Sequence, residues 1–170
     1  WGGGNAGPYR GSKFSLFEGG IRVPAIITYP GVIPANQVRD QACMEMDWFT
    51  TIAELTGSKV SERVDGKSLM PVIKNGNSTS QHDILYWQYG NYDDSSAQWA
   101  VRKDNWKLIG NGNEPSTDGS KIEVDKIYLV DLDKDISEKK NLADDNPKKL
   151  KELMKLHESW LKSVRSEMQL

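Results

Sequence analysis

The sequence predicts an α/β chain of the α+β kind, in which an antiparallel four-stranded sheet in the C-terminal half packs on one long terminal helix. Three observations predict it. Apolar residues recur with period two in four short runs between Ile84 and Val130, the pattern of strands with one buried face. Behind Asn146-Pro147, an apolar stripe at helical spacing runs from Leu150 to Val164, and a cap followed by proline suits a first helical turn. Hydrophobic residues make up 37% of the 170 residues, enough for one ordinary core or a core with a small annex.

Trp1-Gly2-Gly3-Gly4-Asn5 reads as a glycine-rich loop entered in mid-course, so a truncated chain is expected, with any export signal upstream. Ile21 to Tyr29, a β-branched and aromatic run closed by Pro30-Gly31, predicts a buried strand and a turn, with Pro24 placing that strand at an edge. Asp47 to Leu55 predicts a short helix capped by Asp47 and stopped by Gly57, with Trp48, Ile52 and Leu55 on one face. Leu69 to Ile73 is a one-turn apolar patch before a polar loop ending at Ser80. In that loop Asn77-Ser78-Thr79 matches a glycosylation acceptor, a pattern that arises often by chance.

The four strands follow as Ile84 to Tyr89, Gln98 to Arg102, Trp106 to Ile109 and Lys126 to Val130, with Lys103-Asp104-Asn105 as the turn between the second and third. Such a succession is a meander. The terminal helix then covers one of its faces with Leu150, Leu153, Met154, His157, Leu161 and Val164.

Composition removes several functions. With 22 basic against 24 acidic residues, a net charge of -2, the chain offers no broad positive field, so neither nucleic acid nor a membrane surface is an expected partner. One cysteine and two histidines exclude an intrachain disulfide and a four-cysteine or mixed zinc site. Cys43 is expected in the core. The Asp93-Asp94 and Asp144-Asp145 pairs read as turn or cap residues, because a hard divalent ion needs six or more converging oxygens.

Three stretches carry a family resemblance. Gly11-Ser12-Lys13-Phe14-Ser15-Leu16-Phe17-Glu18-Gly19-Gly20-Ile21-Arg22-Val23-Pro24, ending at Tyr29-Pro30-Gly31, matches the pattern G-x-K-x-x-x-[YF]-E-G-G-x-R-x-P of formylglycine-dependent (type I) sulfatases. Trp99-Ala100-Val101-Arg102 leading to Trp106-Lys107-Leu108 is similar to their A-V-R-x-x-x-W-K-L hairpin. Tyr128 to Asp135 with Glu138 and Asn141-Leu142-Ala143 resembles their Y-D-L-x-x-D-P-x-E-x-x-N-L-A segment, with Ile136 at the usual proline. In this order the three resemble the C-terminal part of arylsulfatase and N-acetylgalactosamine-6-sulfatase-like members.

The resemblance implies an alkaline-phosphatase-like fold, with residues 1–57 ending the large α/β domain, 58–80 a linker, and 81–170 the small C-terminal domain. It implies a hydrolase of sulfuric esters acting on a sulfated carbohydrate or an aryl sulfate. The resemblance assigns Lys13 a catalytic role, as the lysine that reaches both the sulfate and the formylglycine. Fixed cations stabilise charge on a transferring sulfuryl group. Glu18 and Arg22 are expected to fix the loop that presents Lys13, through an ion pair or carbonyl contacts, and Gly19 and Gly20 to permit a tight turn.

Tyr89, Tyr92 and Trp99 are candidates for stacking on a sugar, with sheet packing as the alternative for each. His82 and His157 are not expected to be general acids. No metal ligands and no cofactor are expected in this chain, since Cys43 lies outside a C/S-x-P-x-R motif; calcium and formylglycine are expected in the full-length enzyme. This chain alone is expected to be inactive, its partner being the missing N-terminal part of the same protein. The implied location is periplasmic or secreted, lysosomal in a eukaryote. Two other readings stand beside it: a phosphodiesterase or phosphonate hydrolase of the same superfamily, and a carbohydrate-binding module.

Overall fold

The computed structural model describes residues 5–61, 63–91, 93–115 and 121–168. The expected loop at Trp1 to Gly4 and the candidate Tyr92 therefore lie outside the described residues. Contacts divide the chain into two units, one of residues 1–23 with 84–170 and one of residues 24–83. That division runs elsewhere than at Gly57 and Ser80.

In the first unit the strands form as their period dictates: β1 (Ile84–Tyr89), β2 (Gln98–Lys103), β3 (Trp106–Gly110), then β4 (Glu114–Pro115) and β5 (Lys121–Ile122), then β6 (Ile127–Asp131). The main sheet is antiparallel in the order β1-β2-β3-β6, while β4 and β5 pair as a separate ribbon inserted in the β3 to β6 connection. Register is fixed by pairs such as Trp87 with Ala100, Val101 with Leu108 and Leu108 with Leu129. Because side chains alternate, Ala100, Ile109, Tyr128 and Val130 bury on one face with Leu16 and Phe17. Val101, Leu108 and Leu129 bury on the other with Ala143 and Leu153. Leu153 comes from the terminal helix α4 (Pro147–Glu167), which starts with proline in its first turn. The expected sheet on a helix is therefore present, and the sheet's second face is closed by the segment around Phe17.

The run from Ile21 to Tyr29 does not form a strand. A four-residue helix, α1 (Glu18–Ile21), takes its start, and Val23 and Ile26 stand 75% and 96% exposed. The reason is a missing partner: among the described residues the 24–83 unit contains no strand, so the backbone groups of this segment have no ladder to join.

Within the 24–83 unit, α2 (Asp47–Thr56) and α3 (Met70–Lys74) pack Met70 and Ile73 against Ile27, Ile33, Trp48 and Leu55. The helix over Asp47 to Leu55 forms and ends at Gly57, whose left-handed φ of 68° suits glycine. Asp47 is its first residue rather than its cap. The buried carboxylate accepts the N–H groups of Met44 at 2.7 Å and Lys67 at 2.8 Å, and hydrogen-bonds His82 Nε2 at 2.7 Å. Thr51 continues this polar seam by accepting the Leu69 N–H at 2.8 Å. The inward face is thus Asp47, Trp48, Thr51 and Leu55, and Ile52 is left exposed. Cys43 is exposed as well, not in the core.

Candidate functional site

Lys13 stands on a loop whose two ends are tied together. The Gly19 N–H donates to the Arg10 carbonyl at 2.7 Å, and the Ser15 N–H to the Ser12 carbonyl at 3.0 Å. Gly19 and Gly20 are required here for close approach rather than for unusual backbone angles. A Cβ on Gly19 would lie 2.5 Å from the Gly11 carbonyl oxygen, and one on Gly20 would lie 2.1 Å from that of Ser15. No side chain fits there.

The Lys13 side chain is exposed, and its ammonium lies 5.0 Å from the Phe14 ring centroid. Among the described residues no carboxylate pairs with it. Phe14 adopts a left-handed φ of 77°, a conformation that costs a bulky residue energy, and its carbonyl accepts from Gln98 Nε2 at 2.9 Å. The Phe14 ring meets that of Tyr89 at 6.2 Å. The structure thus brings Lys13, Phe14 and Tyr89 to one corner of the sheet.

Beneath the loop lies a set of charges of which sequence reasoning gave no role to Lys107 and Glu138. Lys107, fully buried on β3, donates to Glu18 Oε1 at 2.7 Å and to Glu138 Oε1 at 3.1 Å. Glu18 in turn accepts Arg22 Nε at 2.5 Å, which is the expected ion pair between these two residues. Burial pushes the Glu18 carboxyl up, but Lys107 and Arg22 outweigh it and hold it below the ordinary carboxylate value. In Glu138 burial wins and the carboxyl is raised. Glu18 therefore carries the firmer negative charge of the two.

Trp99 is placed differently from Tyr89. It stacks on His157 of α4 with ring centroids 3.8 Å apart, and Gly110 makes room for it, since a Cβ there would meet the indole at 2.0 Å. Among the described residues His157 Nδ1 is buried without a hydrogen-bond partner, and desolvation lowers the histidine from 6.5 to about 4. It remains neutral at pH 7, as a packing residue should. The unfolded chain takes up a proton near pH 6.5 that the folded chain accepts only near pH 4, so stability is present above pH 6.5 and falls below it. The full difference is worth about 3 kcal/mol. Urea midpoints at pH 7 and pH 4.5 are expected to diverge less in His157→Phe than in the parent protein.

His82 is bound to the buried Asp47 carboxylate, and Asp94 is an ordinary turn residue whose carboxylate accepts the Ser96 N–H and hydroxyl at 2.8 and 2.7 Å. Among the described residues no cluster of three His, Cys, Asp or Glu side chains could hold a metal ion. No described helix is long and apolar enough to cross a membrane.

The profile of the family described as N-sulphoglucosamine sulphohydrolase, C-terminal, matches residues 11–167. Human steryl-sulfatase is 37% identical over 111 residues, covering 63% of this chain and 19% of that protein. Pig N-acetylgalactosamine-6-sulfatase is 43% identical over 88 residues, covering 51% of this chain and 17% of that protein. A solved structure from work on the metabolism of multiple glycosaminoglycans by Bacteroides thetaiotaomicron superposes with a TM-score of 0.72 at 27% identity, over 91% of this chain and 32% of that one. The chain thus spans between about a sixth and a third of the length of the proteins it matches.

Proposed function

The chain belongs to the N-sulphoglucosamine sulphohydrolase C-terminal family, and on that premise we propose that it is part of a sulfuric ester hydrolase that removes sulfate from a sulfated carbohydrate or an aryl sulfate. The observation that supports this reading most is the Lys13 loop, which lies within the matched segment and holds an exposed ammonium on a backbone closed at both ends. Transfer of a sulfuryl group gathers negative charge on its oxygens, and a cation held in place lowers the barrier more than one that must be ordered first. Lys13 is the residue that binds and orients the sulfate. Glu18, Gly19, Gly20 and Arg22 hold its loop.

Of the aromatic candidates, Tyr89 keeps the role of a sugar contact because it is 51% exposed beside the Lys13 corner. Trp99 is assigned to packing. A sulfated glycan is the favoured substrate class, on the ground that the pig relative is named for a 6-sulfated amino sugar and the superposed structure comes from glycosaminoglycan metabolism. Formylglycine and calcium, when present in the full-length enzyme, supply its nucleophile and additional positive charge. The residue converted to formylglycine and the residues that hold calcium lie outside this chain, which is inactive alone. A periplasmic, secreted or lysosomal location suits such a substrate.

The experiment that tests this is a comparison of aryl sulfate and aryl phosphate turnover by the full-length protein. Sulfate hydrolysis is expected to dominate by at least about 100-fold in kcat/KM, a difference of transition-state stabilisation near 3 kcal/mol. Dominant phosphate cleavage would replace this function with the phosphodiesterase reading.

A further inference from the structure

We propose that Lys107 and Glu138, carried by the sheet and the loop behind it, are positioning residues for Lys13. This rests on the reading of Lys13 as the sulfate-binding cation. Glu138 grips both ends of the loop on which Lys13 stands. At one end its carbonyl accepts Arg10 Nη1 at 2.9 Å, and at the other its carboxylate accepts the Glu18 N–H at 2.6 Å. Tyr128 donates its hydroxyl to the same carbonyl at 2.8 Å, which fixes Glu138 to β6. Lys107 then bridges the Glu18 and Glu138 carboxylates from β3.

Stability alone gives no reason for this arrangement. Apolar side chains of similar volume pack a core as well as buried ion pairs do, and often better. Directional bonds from one residue to both ends of a loop instead restrict where its tip stands, and sub-ångström placement of a charged group governs its use in catalysis. The tip has few other anchors: Lys13 and Phe14 are exposed, and Gln98 holds only the Phe14 carbonyl. Arg10 reinforces the same end by donating to Glu114 at 2.7 Å while its guanidinium lies 4.1 Å over the Phe17 ring.

A double-mutant cycle in the full-length protein separates positioning from general support. The variants are Lys13→Ala, Lys107→Met and their combination, with kcat and KM read on an aryl sulfate at a temperature well below each variant's unfolding midpoint. Lys107→Met is expected to lower kcat about 10- to 100-fold with a smaller change in KM, and the double variant to be no slower than Lys13→Ala alone. If the two losses multiply instead, Lys107 acts independently of Lys13 and the proposal is overturned. Should Lys107→Met fail to fold, Glu138→Gln, which keeps the volume and one acceptor, runs the same cycle with the same two outcomes. An unchanged rate in Lys13→Ala alone would overturn the reading of Lys13 itself, and the cycle shows which of the two has failed.

Discussion

Lys107→Met is expected to lower the stability of the protein by about 3–5 kcal/mol in urea unfolding. Methionine nearly matches the volume of the lysine stem, so little of this comes from a cavity. The loss comes from two carboxylates, Glu18 and Glu138, left buried without the cation between them. Arg22 compensates only one of them, from a side chain that is 39% exposed. Lys103→Met provides the control: its pair with Glu152 has side chains 39% and 37% exposed, and such surface pairs contribute at most about 1 kcal/mol. Equal losses in the two variants would mean that the Lys107 site is solvated or its charges neutralised.

The strands were legible because each carries one face of apolar residues at period two, and a one-residue slip would turn that face to solvent. α4 was legible for the same reason at period 3.6, and its stripe placed His157 among buried residues. Lys107 was not. It sits at an inward position of β3, in step with Ile109, but its partners lie 89 and 31 residues away along the chain, and nothing local announces them. A lysine at an inward-facing strand position is nonetheless the signal that could have raised the question.

The run from Ile21 to Tyr29 shows the converse limit. Its composition favours a strand, but a strand exists only through a neighbour, and composition does not supply one. Likewise Ile52 fits an apolar face by spacing, whereas Asp47 and Thr51 decide which side of α2 turns inward by satisfying the backbone groups of residues 44, 67 and 69. In the candidate site, the motif identified Lys13, Glu18 and Arg22 together, and the Glu18 to Arg22 ion pair formed as expected. The glycines following Glu18 serve packing against carbonyl oxygens, a need visible only once the loop is closed.

The second large effect concerns Lys13. Its substitution by alanine removes an exposed side chain that no described carboxylate pairs with, so the fold is expected to be unaffected and surface changes of this kind stay within about 0.5 kcal/mol of stability. On the proposed function activity responds differently, because that reading has the Lys13 ammonium meet the charge that develops on the sulfuryl oxygens. Loss of one such fixed group costs about 100- to 1,000-fold in kcat. The measurement is steady-state hydrolysis of an aryl sulfate by the full-length protein and by Lys13→Ala, with unfolding midpoints recorded for both. A fall of that size in kcat at an unchanged midpoint is expected. Turnover equal to the parent's would contradict it and leave the loop a structural feature without a part in the chemistry.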